Sequence, residues 1–200
     1  DRQSQAHGNN SSLYFTDKGH AGGLVFDYSK AEVRDFLIQN AKFFLDEYRV
    51  DGFRYDQVSV IDHDGAPHGW RFCQDLTSTL HTHRPSALHL AEYWNVNPAV
   101  VQPVPGGAGF DTTLTDGLRM TLRNVIGNAS APDDRPLDMT GLAQSLWPAG
   151  FSEPWRFVQG PENHDIVYRG REPRLVRLAD PSNPRSWYGR SRARVAAGLS

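Results

Sequence analysis

Cysteine is almost missing from this chain. Cys73 stands alone in 200 residues, so no disulfide can form within it. Long apolar runs are missing as well: no stretch approaches the roughly 18 residues that a membrane-spanning helix needs. Neither sign of charge is in excess, since 21 Lys and Arg stand against 23 Asp and Glu. That balance gives no electrostatic reason to expect nucleic acid or an anionic membrane as partner. The opening Asp1-Arg2-Gln3-Ser4-Gln5 lacks the basic-then-apolar pattern of a secretory leader. With the lone cysteine, this predicts a cytoplasmic protein. No internal repeat or low-complexity tract occurs, and no Gly-rich phosphate loop opens a helix, which counts against a nucleotide-binding sheet. An initiator Met is lacking. Arg185 to Ser200 reads as a helix that stops without a cap, so the expectation is a piece of a larger domain, truncated at both ends.

Hydrophobic residues, 38% of the chain, suffice for a core, and their spacing gives the elements. Asp1 to Ser12 is polar and reads as a loop, and Gly22-Gly23 marks a turn before Leu24-Val25-Phe26. Ser29 and Glu32 have the capping-box spacing. Val33, Phe36, Leu37, Ala41, Phe44 and Tyr48 then fall on one face of a helix over about residues 30–48. Val50 to Asp56 reads as a strand. A second helix runs from Trp70 to His83 through Phe72, Cys73, Leu76 and Leu80, and Pro85 closes it. Leu88 to Tyr93 is an apolar strand, Pro103 to Gly109 a loop, Asp116 to Ile126 a helix and Ala129 to Leu137 a turn-rich connection. Arg156 to Gln159 is a further strand, leading into Gly160-Pro161-Glu162-Asn163-His164-Asp165. Strands alternating with helices predict an α/β fold with a parallel sheet, either open and doubly wound or closed as a (β/α)8 barrel. Both place their chemistry at the C-terminal ends of the strands.

Acidic residues stand at those ends. Strand side chains alternate with period two, so Arg54 and Asp56 project to one face and Phe53 and Tyr55 to the other. A guanidinium beside a carboxylate keeps it ionised, as a nucleophile at an anomeric carbon requires. Taken alone, an R-x-D pair is more often a structural ion pair. Glu92 follows Leu88-His89-Leu90-Ala91, and apolar neighbours would raise its pKa and hold a proton for general-acid work. Alone, it reads as an exposed carboxylate where strand meets loop. Asp165, after Asn163 and His164, could hold sugar hydroxyls and offset oxocarbenium-like charge, although loops are rich in these residue types. The order carries more weight: three successive strand ends supply R-x-D, then E, then N-H-D. A retaining glycosidase needs two carboxyl groups about 5–5.5 Å apart.

Val50-Asp51-Gly52-Phe53-Arg54-Tyr55-Asp56, Ala91-Glu92-Tyr93 and Phe157-Val158-Gln159-Gly160-Pro161-Glu162-Asn163-His164-Asp165 resemble, in order, three motifs of the α-amylase family of glycoside hydrolases. Leu13-Tyr14-Phe15-Thr16-Asp17 and Ala41-Lys42-Phe43-Phe44-Leu45-Asp46-Glu47-Tyr48 are similar to its α-1,4-glucan branching-enzyme branch. The resemblance implies that Asp56 is the nucleophile, Glu92 the acid/base and Asp165 the transition-state stabiliser. Arg54 would be the partner of Asp56, and His164 a binder of the sugar beside Asn163. It implies a (β/α)8 barrel, present here as about strands four to seven with their helices, the N- and C-terminal parts being missing partners. Its substrate would be an α-glucan, handled without a cofactor. Trp94 is the candidate sugar-stacking ring, with core packing an equal reading.

The family's first motif is absent. Ser59 and Val60 stand where many amylases carry Lys and His, residues tied to the acceptor-side sugar and to the calcium site. This points toward a branching transferase and activity without calcium. An amylase-type or trehalose-releasing hydrolase is the alternative, and a non-catalytic sugar-binding relative the reading from another class. No metal site is expected. Asp62-His63-Asp64-Gly65 with His68 fails the spacing of a calcium loop and reads as a polar loop. His81 and His83 read as charge at a helix C-terminus, and Cys73 as a buried, inert thiol.

Overall fold

A computed structural model describes residues 12–20 and 23–199. They divide after Leu114 into two units. The loop expected over Asp1 to Ser12 and the turn at Gly22 fall outside the described residues, except Ser12.

In the first unit, β1 (Phe15–His20) pairs antiparallel with β2 (Gly23–Phe26). Helix α1 spans Ala31–Glu47, close to expectation. The capping box does not form. Lys30 is the N-cap and no side chain caps the helix. Ser29 lies one residue too early, and its hydroxyl instead donates to the Asp27 carboxylate. The buried stripe also differs from the expected one. Val33, Ile38 and Leu45 are buried, with Leu37 and Ala41 packed against the same core. Phe36, Phe44 and Tyr48 are exposed. The rings of Phe44 and Tyr48 stack on each other at 5.2 Å, one helical turn apart.

The parallel sheet is built from β3 (Gly52–Tyr55), β4 (Leu88–Ala91) and β5 (Thr112–Leu114). Gly52 pairs with Leu88 and Tyr55 with Ala91, and Leu90 pairs with Thr112 beyond them. Gly52 is required here, because a Cβ would stand 2.0 Å from the Leu88 carbonyl oxygen. Strand β5 was not expected, since three residues are too few to show a period. Between the strands run α2 (Val58–His63) and α3 (Gly69–His83). The expected stripe of α3 is buried as read, at Phe72, Cys73, Leu76 and Leu80. Phe53 and Tyr55 project from β3 into the core that Ile38, Leu45, Phe72, Leu76 and Leu80 form under α1 and α3. This leaves Arg54 and Asp56 on the other face, as the alternation requires. An apolar cleft of about 740 Å³ also lies against β3, lined in part by Leu37, Ala41, Phe44, Phe53, Tyr55 and Val60.

The second unit contains α4 (Gly117–Ser130), α5 (Met139–Ser145), β6 (Phe157–Val158), α6 (His164–Val167), α7 (Leu175–Ala179) and α8 (Trp187–Ala197). Its core joins Leu118, Leu122, Val125 and Ile126 of α4 to Leu142, Leu175, Ala179 and Ala196. Helix α4 runs four residues past the expected Ile126, and the turn-rich connection begins only after it. The strand expected at Arg156–Gln159 is two residues long. Val158 accepts from the Thr115 backbone N–H at 3.0 Å. The chain is thus an α/β protein with a parallel sheet. No helix among the described residues is long and apolar enough to cross a membrane.

Candidate active site

Arg54 sits one residue before the end of β3, and Glu92 one residue past the end of β4, in adjacent strands. The parallel register therefore brings them together. Arg54 donates through Nη2 to Glu92 Oε1 at 2.6 Å and through Nη1 to Asp56 Oδ1 at 2.7 Å. One guanidinium thus bridges both carboxyl groups. Their exposures differ sharply: the Glu92 side chain is 2% exposed, that of Asp56 73%.

Sequence reasoning did not find the second contact of Glu92. The backbone N–H of Gln57 donates to Oε2 at 2.9 Å. Gln57 is the N-cap of α2 and is left-handed, with φ 50 and ψ 47. Non-glycine residues rarely adopt that region. The turn directs the N–H of the residue after Asp56 at the acid on the neighbouring strand. No side-chain pattern announces a backbone donor, so the sequence carried no signal for it.

Burial is the largest influence on the Glu92 carboxyl and pushes its pKa up. The Gln57 N–H and the Arg54 charge pull it down, while a hydrogen bond with Asp56 pushes it up again. The net is a carboxyl above its ordinary range, as its apolar strand neighbours led one to expect. The alternative of an exposed carboxylate at this position is not what the structure has. Burial opposes the charge of Arg54, but its bonds to Asp56 and Glu92 outweigh that and raise its pKa. Arg54 therefore remains a fixed positive charge between the two acids.

Tyr93 supports the strand end. It is buried, and its hydroxyl donates to Asp62 Oδ2 at 2.7 Å with His63 Nε2 at 3.2 Å. Asp62 and His63 are thus not a polar loop, as their residue types suggested. They close α2, and they face the residue that follows Glu92. Val58 is fully buried in the core beneath and Ile61 packs against it, which is why the segment is helical. Trp94 is half-buried two residues after Glu92. Ser59 is buried in α2, and Val60 lines the apolar cleft.

In the second unit, Asn163 caps α6 by accepting the Ile166 N–H at 3.0 Å. His164 and Asp165 are exposed, and their side chains pair at 3.4 Å. The preceding Glu162 is tied down. It accepts the Leu175 N–H at 3.0 Å and faces Arg123 at 3.9 Å. Arg123 is buried on the apolar face of α4, donating to Glu172 at 2.8 Å and to the Pro173 carbonyl at 2.7 Å. An arginine beside Leu122 on an otherwise apolar stripe was the available signal.

His83 and His81 also differ from the expected reading of charge at a helix end. His83 pairs with Asp46 of α1 at 2.9 Å, and His81 with Asp111 at 3.2 Å. Specific carboxylates hold them, rather than the diffuse helix dipole. Cys73 is fully buried, and burial pushes its thiol well up, as expected of an inert cysteine. Among the described residues, the ligand-type side chains that converge are not at this site but at His81, His89 and Asp111.

A parallel α/β sheet with a buried acid and an exposed carboxylate, joined by one arginine at its C-terminal edge, defines the class of a sheet-edge carboxylate site. Comparison with known proteins names the relatives. The chain is 36% identical over 192 residues to the 1,4-alpha-glucan branching enzyme GlgB of Myxococcus xanthus, covering 87% of this chain and 25% of that protein. The same-named enzyme of a Synechococcus species is 29% identical over 193 residues, covering 88% of this chain and 24% of its own length. That of Corynebacterium glutamicum is 33% identical over 169 residues, covering 75% and 22%. No family model matches. The chain spans about a quarter of the length of the curated relatives it matches. In sequence the chain is thus similar to a segment of proteins named 1,4-alpha-glucan branching enzyme.

Proposed function

We propose that this chain carries the catalytic carboxylates of a retaining α-glucan enzyme, and that its reaction is 1,4-α-glucan branching. The observation that carries the reading is the bridge from Arg54 to both Asp56 and the buried Glu92, whose pKa burial raises. Asp56, paired with Arg54, attacks the anomeric carbon of a glucosyl unit. Glu92 gives its proton to the departing glycosidic oxygen, which leaves with the bonding electrons. Glu92, now a carboxylate, then takes a proton from an acceptor 6-hydroxyl, whose oxygen displaces Asp56. Asp165 offsets the positive charge on the sugar ring in both steps. His164, Asn163 and Trp94 hold the sugar. The acceptor decides the outcome: if water replaces the sugar hydroxyl, the same site is an amylase-type or trehalose-releasing hydrolase.

The branching reading is supported by the names of the relatives and by Ser59 and Val60 at the positions after Asp56. On this reading the enzyme needs no calcium and works on glycogen-type polymer in the cytoplasm. The sheet belongs to a (β/α)8 barrel. The apolar cleft against β3 supports this, since a neighbouring strand and its helix would fill it. The test is to incubate the intact polypeptide with amylose, debranch the product and compare chain lengths. New short chains released only by debranching are expected. Reducing ends without new branches would identify a hydrolase, and no change in the polymer would identify a binding relative.

A further inference from the structure

At the other end of the strands from Glu92 the structure gathers three side chains that the proposed chemistry does not use. His81 lies in the last turn of α3, His89 is the second residue of β4, and Asp111 immediately precedes β5. Their ligand atoms all lie within 4.8 Å of one another. His81 Nε2 is 3.2 Å from each carboxylate oxygen of Asp111. The carboxylate is held in place, because Oδ2 accepts the His89 backbone N–H at 2.8 Å and the Asp111 N–H returns to the His89 carbonyl at 2.9 Å. The imidazoles of His81 and His89 meet edge to face at 4.7 Å.

His89 is fully buried, yet among the described residues its Nε2 has no hydrogen-bond partner. A buried polar atom left in that state costs about 1–3 kcal/mol. Its other ring nitrogen, Nδ1, lies 2.9 Å from the Tyr55 hydroxyl. With Nδ1–H donated to that oxygen, Nε2 keeps its lone pair. An imidazole whose outer nitrogen is fixed by a second partner is the usual form of a metal-ligating histidine.

We propose that His81, His89 and Asp111 form a binding site for a divalent transition-metal ion of the zinc type. Two imidazole nitrogens and one carboxylate oxygen suit zinc or cobalt, whereas calcium and magnesium prefer all-oxygen sets. Zinc holds such ligands at about 2.0–2.2 Å in a tetrahedron. The side chains of His81 and Asp111 are 33% and 34% exposed, which leaves an entry path and room for water as the fourth ligand. The ion would pin the end of α3 to β4 and to the start of β5. The site is independent of the glucan reading: His89 shares its face of the sheet with Phe53, not with Arg54.

The experiment uses the intact, tag-free protein, stripped with a chelator and titrated with Co2+ and then Zn2+. Absorption bands of low-coordinate cobalt, saturating at one ion per site and bleached by Zn2+, are expected. Thermal unfolding should shift upward with Zn2+, as binding to the native state requires. His81→Ala and Asp111→Asn should each bind one ion fewer per chain, and Tyr55→Phe should weaken binding roughly 10–100-fold, because it removes the oxygen that holds the His89 ring. His81 is partly exposed, so its variant tests the site even if a His89 variant fails to fold. Absence of such bands, or uptake that His81→Ala and Asp111→Asn leave unmoved, would overturn the proposal.

Discussion

Gln57 and Glu92 are joined backbone to side chain. The N–H of Gln57 donates to Glu92 Oε2 at 2.9 Å, from a residue held at φ 50. The turn that follows Asp56 therefore also supports the acid of the next strand, and a change in one carboxylate's loop is felt by the other.

That relationship makes position 57 sensitive to backbone shape rather than to side chain. Gln57→Gly keeps the N–H and suits a left-handed residue, so stability should stay within about 1 kcal/mol. Gln57→Val places a β-branched side chain in a region it avoids, and should cost about 1–3 kcal/mol. Thermal unfolding checks both. Turnover should fall with Val and survive with Gly. Equal losses from the two would mean that the glutamine side chain is what matters.

The chemistry separates the two acids. Asp56→Asn should leave no turnover above background, because an amide cannot serve as the nucleophile. Glu92→Gln should lose about 10²–10⁴-fold on natural glucan, the usual share of general acid catalysis. It should still form a glycosyl-enzyme from a donor whose leaving group needs no proton. Mass spectrometry of the protein after such a donor reads this directly. Substantial activity in Asp56→Asn would place the nucleophile elsewhere.

Glu92 also fixes a pH dependence. Its folded pKa is raised above the ordinary 4.5, first by burial. The fold therefore favours the protonated form. That contribution is fully present below the unfolded value and is lost as pH rises through the folded one. Glu92→Gln cannot ionise. Its stability relative to the parent should thus increase with pH from about 4.5 upward and level off above the folded pKa. Unfolding midpoints of both proteins across that range are the measurement, and a gap that does not widen with pH would contradict the raised pKa. The alkaline limb of turnover should fall in the same window, since the acid must carry its proton.

These residues also mark what the sequence allowed to be read. Arg54, Asp56 and Glu92 were legible because they sit at ends of strands whose apolar spacing was plain, and period two fixes which face each takes. The long helices were legible for the same reason. The stripe on α1 was misjudged: Phe36, Phe44 and Tyr48 have the right spacing but stay exposed, and only packing decides which of two overlapping apolar stripes turns inward. Gln57 was invisible because it acts through its backbone. The grouping of His81, His89 and Asp111 was hidden because it depends on how α3 returns to β4 and β5. Arg123 gave a signal, a charge on an apolar stripe, whose meaning required its partners Glu162 and Glu172.

Arg123 should accordingly matter more than an ordinary helix arginine. It is buried and serves Glu172, the Pro173 carbonyl and Glu162, the residue two before His164. Arg123→Ala removes these contacts and leaves Glu172 without its cation, while Glu162 keeps Arg174 at 3.7 Å. Because Glu172 is itself 46% exposed and can turn to water, the cost is about 1–3 kcal/mol rather than that of a fully buried pair. Turnover should fall more than in Glu172→Gln, since only Arg123→Ala also removes a charge that faces Glu162, whose bond from the Leu175 N–H remains. Equal effects on turnover would show that Leu175 and Arg174 hold Glu162 without Arg123.

The 200 residues expressed by themselves are expected to be inactive and poorly soluble. Strand β3 lies against an apolar cleft of about 740 Å³, into which Phe53 and Tyr55 contribute surface. On α1, Phe36, Phe43, Phe44 and Tyr48 all stand exposed. A soluble protein does not leave so many large apolar groups and a strand edge uncovered without inviting association. A closed barrel would cover them, and it typically takes about 250 residues and all eight strands. Expression of residues 1–200, followed by light scattering, thermal unfolding and glucan turnover, makes the test. Aggregation or a broad, non-cooperative transition is expected, with activity only in the longer polypeptide. A soluble, cooperatively unfolding and active 200-residue protein would mean that the cleft against β3 is a finished surface and that the sheet is open by design.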